Sequence, residues 1–122
     1  MADDTENLIR QAEAAVKAGH WAQAEKLWLD VRKRDPRNPK AAFSLAIHAM
    51  QRREFKEACK LLELAVAASP QDPFMLLTLS KARREAGDNA GEAQAIDAAL
   101  AIDPYYLPAL LSKAQRYDRI GA

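Results

Sequence analysis

Three prolines, Pro36, Pro70 and Pro104, stand 34 residues apart, in the segments DPRNP, SPQDP and DPYYLP. A 34-residue unit has room for two short helices and a turn, and such units bury their apolar faces only by stacking on one another. Seventeen residues before each of these prolines lie Gly19, Arg53 and Gly87, and the same register reaches Gly121. These are the turn positions. Glycine there supplies the positive φ that ends a helix, whereas Arg53 has to adopt it with a Cβ in the way.

Around each turn the apolar residues recur at offsets of three and four, which makes one face of a helix. Before the turns the stripes are Leu8, Ala12 and Ala15; Ala42, Leu45, Ala46 and Ala49; Leu76, Leu79 and Ala82; and Leu110, Ala114 and Tyr117. After the first two turns come Trp21 and Phe55, Ala24 and Ala58, Trp28 and Leu62, then Val31 and Ala65. The small Ala24 and Ala58 sit where a second helix approaches closely, and both tryptophans fall on the stripe expected to be buried. In the third unit Asn89 replaces the aromatic and Glu92 the alanine, so looser packing is expected there. Asn38 before Pro39 and Asp72 before Pro73 are helix caps with proline at the first helical position. In DPYYLP that pattern slips, because Tyr106 takes the capping place and Pro108 comes one residue late.

The period, the helix–turn–helix unit, the GHWAQA signature at the first turn and the closing DP or SP resemble the tetratricopeptide repeat (TPR) family. The resemblance covers essentially the whole chain. It implies an all-α fold, a right-handed solenoid of antiparallel helix pairs. Three full repeats at about 5–38, 39–72 and 73–106 and a terminal helix at 107–120 make seven helices in one domain, 1–122, expected to be part of a longer chain. The terminal helix is expected to cap the third repeat, with Leu110, Leu111, Ala114 and Tyr117 inward, and Lys113, where earlier repeats carry Leu45 and Leu79 facing their own second helix, is tolerable if no such helix follows in this chain. The first helix, with Gln11 where later repeats have leucine, is expected to be the least stable.

Net charge is +1, so no long-range field favours nucleic acid or an anionic membrane. The basic groups Arg32–Arg34, Arg83–Arg84 and Arg116 with Arg119 lie mostly in last turns, where cations complement exposed carbonyls. Cys59 is the only cysteine, which rules out an intrachain disulfide, and it reads as a small hydrophobe. His20 and His48 read as turn and helix-surface residues. No metal-ligand spacing, nucleophile motif or phosphate loop occurs, so no enzyme, metal or cofactor is expected. No run is long enough to span a bilayer and the N-terminal MADDTEN does not resemble a leader; a cytoplasmic location follows as the expectation.

What the TPR resemblance implies about function is a concave groove, lined by the first helices, that holds a peptide or protein segment. The expected groove residues are Ile9, Phe43, Ile47, Leu77, Lys81, Arg84 and Leu111, with Tyr105 and Tyr106 on the lip. The apolar row has an equal alternative, bracing between neighbouring helices. One subset of the family clamps chaperone C-terminal tails with Lys, Asn and Arg where Ile9, Glu13, Ser44, Phe74 and Thr78 stand here, so no chaperone tail is expected as partner. The leading reading is thus a non-catalytic interaction scaffold with an unidentified protein partner. A second reading is the N-terminal accessory domain of a larger enzyme. It rests on a weaker resemblance of AIDAALAIDPYYLPALLSKA to segments preceding bacterial aspartyl/asparaginyl β-hydroxylase-like domains. A third is self-association through the terminal helix.

Overall fold

The computed structural model describes residues 4–121. Among them are seven helices and no strand: α1 (Asp4–Lys17), α2 (Trp21–Arg34), α3 (Pro39–Gln51), α4 (Phe55–Ala68), α5 (Pro73–Glu85), α6 (Asn89–Ile102) and α7 (Leu107–Ile120). The chain forms two compact units, one ending at Ala65 and one beginning at Val66.

The 34-residue register is visible in the backbone. Gly19, Arg53 and Gly87 have φ of 78°, 63° and 86°. At each turn the amide just after the positive-φ residue donates to the carbonyl five residues earlier: His20 to Ala15 O, Glu54 to Ala49 O and Asp88 to Arg83 O, at 2.8–2.9 Å. Arg53 holds this left-handed geometry at a cost of roughly 1–2 kcal/mol relative to glycine, and its guanidinium lies 5.4 Å from the centroid of the Phe55 ring. The helix starts follow the capping pattern. Asn38 Oδ1 accepts from the Ala41 amide at 3.1 Å and Asp72 Oδ1 from the Phe74 amide at 3.0 Å. Tyr106 supplies no side-chain cap to α7. Asp103 Oδ1 instead accepts from the Tyr105 amide at 3.1 Å, which folds the first half of DPYYLP into a turn of its own.

In the first unit α1 packs on α2, and α2 on α3. Ala12, Ala24, Val31, Ala41 and Ala46 are wholly buried and Trp28 nearly so. The alanines let the helices approach, and Trp28 and Leu45 fill the space between them. Trp21 departs from the expected stripe: it is 47% exposed, with its ring edge-on to His48 at 5.8 Å between centroids. It sits in the first turn of α2, at the rim of the packed face. His48, expected on the surface, is buried instead.

In the second unit α5 packs on α6, and α6 on α7. Leu76, Leu77, Ile96, Ala99 and Ala109 form the core, with Val66, Ile102 and Tyr106 packed against it. The third turn is not loose. Asp88 caps α6 by accepting from the Gly91 amide at 2.8 Å, and a Cβ on Gly91 would collide with that capping carboxylate and meet Arg83 Cδ at 2.9 Å, so glycine is what permits the cap in this form. Glu92, in the place of Ala24 and Ala58, is 4% exposed.

The terminal helix is turned the other way from the expected arrangement. Its inward side carries Ala109, Ser112, Lys113 and Arg116, whereas Leu110, Leu111, Ala114 and Tyr117 are exposed. The inward residues are the counterparts, two periods on, of the buried Ala41, Leu45 and His48 of α3, and ion pairs form along that side: Lys113 Nζ reaches Asp97 Oδ1 at 3.1 Å, and Arg119 Nη2 reaches Glu92 Oε1 at 2.6 Å with Arg116 Nε at 3.8 Å.

Candidate interaction surfaces

The first helices of the first unit, α1 and α3, carry the predicted apolar row. Leu8, Ala12 and Ala15 take up the α2-facing side of α1, which leaves Ile9 half-buried on another side; Phe43 and Ile47 are likewise half-buried on α3. Each therefore has surface to offer and enough packing to hold a rotamer. Beside Ile9 lies a depression of about 500 Å³ lined by Glu6, Arg10 and Glu13 of α1 and by Asn38, Pro39 and Lys40 at the start of α3. Lys40 Nζ stands 3.6 Å from Glu13, and Arg10 Nη2 stands 3.8 Å from Glu6. The depression thus has an apolar floor residue and two carboxylates, each beside a cation. Sequence reasoning missed Glu6, Arg10 and Lys40 because only their placement around the foot of α3 makes them a group.

In the second unit the predicted residues separate into three kinds. Leu77 is 3% exposed and belongs to the core, so it braces α5 and presents no surface. Tyr106 also packs on that core, leaving Tyr105, 88% exposed, as the free ring of the pair. Lys81 is exposed and Arg84 half-buried, with Arg84 Nη2 3.3 Å from Glu85. Leu111 is 53% exposed on α7.

A separate polar cluster joins α2 to α3. Arg52 donates through both terminal nitrogens to Glu25, the Nη1 bond being 2.8 Å, and its Nε donates to Glu54 at 2.9 Å. His48 Nδ1 lies 3.9 Å from Glu25. The hydrogen bond from Arg52 holds the Glu25 carboxyl below its ordinary range. Burial pushes the His48 imidazole below its ordinary value, against the opposing pull of Glu25. Among the described residues no three His, Cys, Asp or Glu side chains are placed to hold an ion, and no helix is long and apolar enough to cross a membrane.

Comparison with known proteins agrees with this architecture. The tetratricopeptide repeat model matches residues 9–73. MamA from Desulfovibrio magneticus RS-1 (residues 41 to the end) superposes with a TM-score of 0.83 at 22% identity, over 94% of this chain and 65% of that one. The first TPR of Spaghetti (RPAP3), solved with an HSP90 peptide, gives 0.82 at 17% identity over 97% and 94%. The Arabidopsis OM64 TPR domain gives 0.80 at 18% identity over 95% and 96%. At such identities the likeness is one of fold. No curated protein sequence matches the chain.

Proposed function

Because the chain belongs to the tetratricopeptide repeat family, we propose that it is a non-catalytic scaffold that binds an extended or helical segment of a partner protein along its first helices. The carrying observation is the half-buried row Ile9, Phe43 and Ile47 next to the charged depression at the foot of α3. An apolar side chain of the ligand would rest on that row, and the paired charges around it would take polar groups of either sign. Ile9 and Glu13 stand where family members that clamp chaperone tails carry Lys and Asn, so a ligand other than a chaperone tail is proposed. Lys81, Arg84, Tyr105 and Leu111 are the contact candidates of the second unit. Tyr105 suits the role because a phenol offers large, rigid area and one hydroxyl.

Peptides selected from a random display library against the chain should bind with Kd of about 1 μM, about −8 kcal/mol, as an open surface and a flexible ligand allow. Phe43→Ala should weaken that binding by roughly 1–2 kcal/mol in titration calorimetry while helical circular dichroism stays near wild type. Binding unchanged by Phe43→Ala and by Ile9→Ala would refute the assignment of the row.

A further inference from the structure

The contact row of the first unit has one polar interruption. Ile9, Glu13 and Val16 stand at helical spacing on one stripe of α1, and their counterparts 34 residues on, Phe43, Ile47 and Met50, form a stripe of α3. Five of these six are half-buried apolar residues. Glu13 is the sixth, a carboxylate where α3 has isoleucine.

Four ionic side chains surround the depression beside Ile9, and they are not equivalent. Glu13 is the least exposed of them, at 48% against 63% for Lys40, 65% for Glu6 and 69% for Arg10. The other three can turn into solvent as a ligand arrives, and the long stems of Lys40 and Arg10 make that easy for them. Glu13 is shorter and stands within the stripe. Among the described residues its one ion pair is with Lys40 Nζ at 3.6 Å, beyond hydrogen-bond length, and it accepts no hydrogen bond. A carboxylate has about four acceptor sites, so those of Glu13 are left to water. A ligand that covers the stripe with apolar side chains removes that water. An apolar or acidic group set against Glu13 would then leave the carboxylate desolvated without a partner.

We propose that Glu13 sets the specificity of this surface and that the ligand is a segment carrying an arginine or lysine among apolar residues. The cation meets Glu13 while its apolar neighbours rest on Ile9, Phe43 and Ile47. A guanidinium or ammonium there supplies the hydrogen bonds that Lys40 does not. Such a ligand presupposes that the row on α1 and α3 is the contact face proposed above, and Glu13 adds to that face the sign of the charge it selects.

The probes are peptides selected from a random display library on the intact chain and resynthesised with fluorescein. Basic residues should be enriched among them over the starting library. Glu13→Gln should weaken the tightest peptide about fivefold in anisotropy titrations with unchanged circular dichroism, as expected of a partly screened ion pair. Replacing that peptide's basic residue by methionine should have the same effect, and no further effect on top of Glu13→Gln. Lys40→Met removes the competing cation and should leave binding equal or tighter. Peptides that lose affinity on Phe43→Ala yet bind Glu13→Gln as tightly as wild type would overturn the role of Glu13 and leave the row intact. Loss of binding in Lys40→Met would overturn it too, because it would mark a ligand carboxylate. If Phe43→Ala and Ile9→Ala change nothing, the row itself falls and the role of Glu13 falls with it.

Discussion

The two units solve one problem differently, that of tying a second helix to the first helix of the next repeat. In the first unit Glu25 of α2 meets His48 of α3 and Arg52 just beyond its end; in the second, Glu92 of α6 meets Arg116 and Arg119 of α7. His48 and Arg116 occupy the same position two periods apart. In the first unit the acid sits one residue beyond Ala24, so alanine keeps its place in the close contact and the carboxylate stays at the rim with Arg52. In the second, the acid has taken the alanine's place and is buried. A carboxylate there needs permanent cations, and two arginines supply them. The repeat therefore specifies a position and a size for its packing residues, and a charge can stand in for a methyl group when the neighbouring helix carries the counter-charge.

The first way to break this comparison is to attack the apolar part alone. Leu77→Ala removes a core side chain of the second unit and should cost about 3 kcal/mol in urea unfolding, whereas Phe43→Ala, half-buried in the first unit, should cost clearly less. Equal losses would mean that the two rows play the same part.

A smaller effect is expected from the charged substitute. Glu92→Gln leaves Arg116 and Arg119 without their counter-ion, and because both are partly exposed the loss should be about 2 kcal/mol rather than that of a fully enclosed pair. The double variant Glu92→Ala with Arg116→Ala should recover most of that loss, since it restores the alanine arrangement of the first unit. If the double variant is no more stable than Glu92→Gln, the charges are not a replacement for small-residue packing.

The smallest effect is the pH dependence, which separates the units by chemistry. Burial holds His48 below its ordinary pKa in the folded state. As pH falls through the unfolded-state value near 6.5, the unfolded chain takes up a proton that the folded chain does not, so stability declines with acidification in that window. Glu25, also depressed, loses its contribution only at lower pH, below its ordinary 4.5. His48→Gln should flatten the stability profile between pH 7 and 5. An unaltered slope in that variant would place the titration elsewhere.

Most of the fold was legible in the sequence because local interactions write it. The 34-residue interval, the glycine positions and the Asn-Pro and Asp-Pro steps place the starts of α3 and α5 and all three positive-φ turns, since each depends on the residues of one turn and a few hydrogen bonds. Most of the predicted stripes are buried, from Ala12, Ala24 and Trp28 to Leu76 and Leu79, and tertiary structure decided the exceptions. Trp21 and Leu77 both lie on helical stripes, yet one is at a rim and the other in a core, because burial depends on which neighbour lies across the helix. The same holds for α7. Its apolar stripe reads as an inward face, but α7 takes the orientation of α3 in the register, with Ala109, Lys113 and Arg116 where Ala41, Leu45 and His48 are buried, and there Arg116 and Arg119 meet the buried Glu92 of α6.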